Sequence, residues 1–109
     1  MPDEDSKRAI HQRLVNRILK GPGHAAADQR AHAFDNSELP EPLRRLLDKV
    51  ANRSAEVTDA DFAAAMEAGF TEDQLFELVI CAAVGQSTRQ YEAGLAALAE
   101  ATSGTETGQ

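Results

Sequence analysis

The sequence predicts an all-α chain of about five helices. Three observations predict it. Apolar residues recur at i, i+3 and i+4 along successive stretches. Those stretches are divided by Gly, Pro or Asn breaks, and two of them open on capping signatures. No stretch alternates apolar and polar residues with the period of two that marks a strand, and no internal repeat changes the reading.

The first helix follows an acidic, frayed start over residues 1–5, with Ser6 or Asp5 as its cap. Ile10, Leu14, Val15, Ile18 and Leu19 form one apolar stripe. Gly21-Pro22-Gly23 stops it. The second helix is expected over the alanine-rich stretch His24 to Phe34, broken by Asp35-Asn36-Ser37. Pro40 and Pro42 stand where the third begins, because proline is tolerated in a first turn. Leu43, Leu46, Leu47 and Val50 give this helix an apolar face, and Arg44, Arg45 and Lys49 cover its other side.

Thr58 caps the fourth, short helix, with Asp61 three residues on as a weaker capping box. Phe62, Ala65 and Met66 are its expected buried face, and Gly69 ends it. Thr71 followed by Gln74 is a full capping box, with Phe70 and Leu75 placed to staple it. A long helix then runs to about Glu100. From Leu75 to Val84 it is apolar almost all round, interrupted only by Glu77, so it is expected to be buried in a core or an oligomer interface. Gly85 marks a kink or a close helix contact. Tyr91, Leu95 and Leu98 continue the stripe. Residues 1–101 therefore form a single helical domain. Residues 1–42 are either part of it or an N-terminal extension or arm. The apolar-poor tail, residues 102–109, is expected to be disordered.

The 109 residues suffice for one small domain. Twenty alanines against four Phe, one Tyr and no Trp make a thin core, of the kind that often gains burial by oligomerising. A net charge of −7 disfavours a nucleic-acid binder. The five Lys or Arg of residues 1–20 read as a solvated face. One cysteine excludes an internal disulfide, a Cys-x-x-Cys pair and a zinc cage. No apolar stretch is long enough to span a bilayer, and the charged first residues lack a secretory core. The expected compartment is the cytoplasm, with no membrane and no nucleic-acid partner.

Few groups offer chemistry. Cys81 reads as a small buried hydrophobe, since nothing basic lies within four residues to lower its pKa. His24 and His32 are eight apart, too far for one metal, and read as solvated or capping groups or as acid–base groups of a polar pocket. Glu77, Arg89 and Glu92 are the main candidates for catalysis. Glu77 in an apolar helix needs a partner or a cavity. Arg89 and Glu92 can pair on one helical face or, with Arg89 holding a carboxylate, line a pocket. No metal ligand set and no cofactor motif is present.

The stretch VTDADFAAAMEAGFTEDQLFELVICAAVGQSTRQYEAGLAAL, within residues 43–98, resembles the alkylhydroperoxidase D-like and carboxymuconolactone decarboxylase family. A short helix, the turn AGFTEDQLFELV into a long apolar helix, the small Gly85 and the later Arg89 carry the resemblance. It implies a helical bundle, oligomeric, with long helices packed between subunits. Peroxidase members carry a Glu, a Cys-x-x-Cys pair and a His on one helix. With Glu77 laid on that Glu, the Cys positions fall at Arg89 and Glu92 and the His at Ala96. An alternative register lays the helix on the family's later, non-catalytic helix.

Three readings follow. The first is a non-redox family member with a degenerate active site, acting as an interaction or accessory subunit in a homo-oligomer or a hetero-oligomer with a related protein. The second is a cofactor-free enzyme of decarboxylase type. There Glu77, Arg89 and Glu92, with His24 or His32, line a pocket in which a Glu of raised pKa is the acid or base and Arg89 holds a small carboxylate. The third is a peroxidase using Cys81 alone.

Overall fold

In the computed structural model the elements are α1 (Pro2–Lys20), α2 (Ala27–Asp35), α3 (Leu43–Asn52), a 3-10 turn (Ser54–Glu56), α4 (Asp59–Glu67) and α5 (Glu72–Thr107). The structure describes the backbone of residues 2–107 and the side chains of residues 6–103; the side-chain caps sought among residues 1–5 lie outside them. Among the described residues the fold is all-α with five helices and no strand.

Where the observed ends differ from the predicted ones, local bonding explains it. α1 already begins at Pro2, which suits a first helical turn, so Ser6 lies inside the helix rather than capping it. α2 starts at Ala27 and not at His24, and the N–H groups of His24 and Ala25, in the loop before it, go to Glu77. It ends as expected at Asn36, in the left-handed conformation (φ 54°, ψ 48°). There the N–H groups of Asn36 and Ser37 return to the carbonyls of Ala33 and His32. α5 passes the end expected near Glu100 and stays helical to Thr107, across part of the tail expected to be disordered. Adding residues to a formed helix is cheap, and the Thr102 hydroxyl donates to the Leu98 carbonyl.

Both capping boxes form. Thr58 Oγ1 accepts from the Asp61 N–H while Asp61 Oδ2 accepts from the Thr58 N–H at 2.9 Å. Thr71 Oγ1 and the Gln74 amide exchange the same pair at 3.1 and 2.9 Å. Gly69 leaves α4 at φ +111°, a region only glycine enters freely.

The first half of α5 is the axis of the core. Leu75, Leu78, Cys81 and Ala82 of α5 meet Leu43, Leu46 and Leu47 of α3, Ala65 of α4, and Ala25, Ala33 and Leu39 around α2. Each fully buried Leu contributes about 1.5–3 kcal/mol. Residues 1–42 thus supply part of this core. At Gly85 a β-carbon would run into the Phe34 carbonyl, so the open choice there resolves to a close approach of α2 on α5. Lys49 of α3 clamps Asp61 of α4 through both carboxylate oxygens, at 3.1 and 3.0 Å.

Two large side chains on these faces stay open in the single chain. Met66, expected on the buried face of α4, is 48% exposed, and Phe76, in the stretch expected to be buried on most sides in a core or an oligomer interface, is 66% exposed. α2 and α3 pack on other sides of α5, and the side that carries Phe76 opens into a groove beside Phe62 and Met66 of α4. The molecule is also long. Its principal extents are 60 × 28 × 21 Å and its radius of gyration is 17.1 Å, against about 13 Å for a compact chain of this length. The second half of α5 runs out beyond the core, with the N-terminal half of α1 beside it. His11 Nε2 lies 3.0 Å from Thr88 Oγ1, and its ring is 5.8 Å from that of Tyr91.

Candidate functional site

The polar residues of α5 and α2 act on helix ends. An α-helix leaves N–H groups unpaired at its start and carbonyls at its end, with partial positive and negative charge respectively. Glu77 serves the loop that leads into α2. Its carboxylate accepts from the His24 N–H at 2.9 and 2.7 Å and from the Ala25 N–H at 3.0 Å. Arg89 serves the other end of α2, donating to the Phe34 carbonyl at 2.6 Å and to Gln86 Oε1 at 3.0 Å. The two lie twelve residues apart on α5, about 18 Å along its axis. α2 therefore lies parallel to α5, with Glu77 on the loop just before its first turn and Arg89 on a carbonyl of its last turn.

Arg30 repeats the device. It is 7% exposed, and its Nη1 donates to the carbonyls of Ile18 at 3.1 Å and Gly21 at 2.7 Å, at the C-terminal end of α1. Its Nε is buried without a partner. A β-carbon at Gly23 would meet Glu77 Oε1, so a larger residue there would have to displace the end of that side chain.

These contacts set the protonation states. Burial pushes the Glu77 carboxyl up. The N–H groups of Ala25 and His24, with the charges of His24 and Arg30, outweigh it and hold the group below its ordinary value. A general acid of raised pKa, expected for the enzyme reading, is not what Glu77 provides. Burial also pushes the Cys81 thiol up to about 11, with the Arg30 charge opposing and the Glu77 charge adding to it. At neutral pH this thiol stays protonated and is a poor nucleophile.

The candidate residues do not converge. Glu77 and His24 line one open cavity of about 640 Å³, together with Arg17, Arg30, Ile80 and Cys81. Arg89 lies two to three turns away, and its pairing with Glu92 does not form, because the Phe34 carbonyl and Gln86 take the guanidinium. Glu92 lies beside His11 and Tyr91 in a separate groove. His32 faces Glu38 at 3.2 Å, and His24 stands 3.9 Å from Asp73. Among the described residues no group of three or more His, Cys, Asp or Glu could hold a metal ion, and no helix is long and apolar enough to cross a membrane. Sequence reasoning missed Arg30 and His11. A lone Arg in an alanine-rich helix and a His within a basic one both read as solvated. The packing of α2 on the end of α1 gives Arg30 its partners, and α1 lying along α5 gives His11 its own.

No protein-family model, curated protein or solved structure matches the chain.

Proposed function

We propose that the chain is an oligomeric interaction or accessory subunit of the cytoplasm, a non-redox member of the alkylhydroperoxidase D-like and carboxymuconolactone decarboxylase-like group. One observation carries the reading. Glu77 and Arg89 are engaged by backbone groups on either side of α2, while Ile10, Leu14, Met66, Phe76, Tyr91 and Leu98 stand 43–66% exposed. Apolar surface left open on a small, elongated chain favours burial against another chain. The helical frame and the lone, buried Cys81 support a relative that has no thiol redox cycle.

Sedimentation of the full chain at micromolar concentration tests it, beside affinity purification from native extract. A homo-oligomer, or a stoichiometric complex with a related protein, is expected. A monomer with no partner in either experiment overturns the proposal.

The cavity that joins His24 and Glu77 to Arg17 and Arg30 favours a second reading, a cofactor-free enzyme binding a small carboxylate. Titrating the protein with short carboxylic acids separates the two. Saturable binding that is lost in Arg17→Ala supports the enzyme, and the absence of binding removes it.

A further inference from the structure

Two regions of the chain carry opposite charge, and each also carries an open apolar face. Residues 6–20 hold five bases and no acid, whereas residues 54–88 hold seven acids and no Lys or Arg. None of Lys7, Arg8, Arg13, Arg17 or Lys20 forms an ion pair among the described residues. On α1, Ile10 (59% exposed) and Leu14 (48%) stand one turn apart on one face, with Lys7, Arg13 and Arg17 three residues from one or the other. On the acidic side, a groove of about 560 Å³ runs between α4 and α5. Phe62, Met66, Phe76 and Val79 line it, with Glu72 and Asp73 at its edge. Phe76 is 66% and Met66 48% exposed there.

The chain's own α1 does not occupy this groove. α1 sits along another side of α5, where Ile18 packs against the core and the half-exposed Leu14 only borders an open cavity beside Ile80 and Cys81. We infer that the groove receives α1 of a second copy, its Ile10–Leu14 face lying on Phe76 and Met66 and its bases lying over the acids of α4 and α5. An amphipathic helix seated in an apolar groove is a common recognition mode, and opposite charges fix partner and orientation. The contact joins two different surfaces. Reciprocated it closes a dimer, and unreciprocated it builds a ring or an open filament, according to whether the rotation closes. The inference rests on the oligomeric reading above and names its surface.

The test uses the full chain, Ile10→Glu and Phe76→Lys, two substitutions at exposed positions, with circular dichroism as the check on folding. Native mass and sedimentation are read for each protein and for their equimolar mixture. The wild type is expected to associate, and to do so more weakly at high salt. Each variant alone is expected to associate at least about ten-fold more weakly, as for loss of a central contact. The mixture is expected to recover a one-to-one heteromer, because each variant keeps the surface the other has lost. If the wild type associates and both variants do so equally well, the surface is wrong while the oligomeric reading stands. Loss in both variants without recovery in the mixture overturns the pairing of α1 with the groove. A wild type monomeric at low and high salt overturns the second copy as occupant, and the oligomeric reading with it unless native extract yields a different partner.

Discussion

The two halves of α5 are one uninterrupted helix in very different surroundings. From Leu75 to Arg89 it carries the core and both clamps on α2. Beyond Arg89 the same apolar stripe continues, yet Tyr91 is 43% and Leu98 63% exposed. A hydrophobic stripe thus shows which side of a helix is able to bury. What buries it depends on the elements that reach it. α2 and α3 are short and reach only the first half.

The sharpest way to break the comparison is to truncate one leucine in each half. Leu78→Ala removes a fully buried side chain and is expected to cost about 2–5 kcal/mol. Leu98→Ala is expected to change stability by less than about 0.5 kcal/mol in the isolated chain. Urea denaturation of both variants checks this, and equal losses would mean that the second half is covered after all.

Glycine gives the next contrast. Gly85→Ala drives a β-carbon into the Phe34 backbone and is expected to cost about 1–3 kcal/mol, as overpacking does. Gly94→Ala meets nothing within 4 Å and is expected to stabilise by about 0.5–1 kcal/mol through helix propensity. Thermal melts of the two should therefore shift in opposite directions.

The acids separate the halves least. Glu77→Gln is expected to lose about 1–2 kcal/mol at neutral pH, because a charged acceptor of two backbone N–H groups becomes neutral. Glu92→Gln, in the second half, is expected to change stability by less than about 0.5 kcal/mol. Glu77 has a folded pKa below its unfolded one. Its contribution is present above the unfolded pKa and disappears as pH falls through the folded pKa, so stability rises with pH across that window. The gap between wild type and Glu77→Gln should close on acidification. An acid limb remains in both proteins from Asp48, held down first by the Asn36 amide, and from Asp61, held down first by the Thr58 N–H. A gap unchanged down to the acid transition would show that Glu77 acts by shape alone.

Much of the fold was legible in the residues. The two capping boxes, the Asn36 stop and the Leu43, Leu46 and Leu47 face all depend on neighbours within a few positions, which is the range over which sequence pattern carries information. The candidate site was legible only in part. Glu77 was singled out correctly as a charge in need of a partner, but that partner lies more than fifty residues away, in the backbone of His24 and Ala25. Arg89 was read as pairing with Glu92, its neighbour on the helix, or as holding a carboxylate in a pocket. The packing of α2 on α5 instead brings the Phe34 carbonyl to the guanidinium, at 2.6 Å.

By itself, the sequence determined an all-helical chain, the caps that start α4 and α5, the apolar sides of the helices and the charge contrast between α1 and the region of α4 and α5. These follow from backbone hydrogen bonding and the helical repeat, which act locally. Only the tertiary structure decided that α2 lies parallel to α5 with Glu77 and Arg89 at its two ends, that Gly85 admits the Phe34 backbone, and that Phe76 and Met66 stay open. Those outcomes rest on which helix ends and faces meet across long separations in the chain. Helix length, loop length and close packing decide them together, and no single stretch of residues contains them.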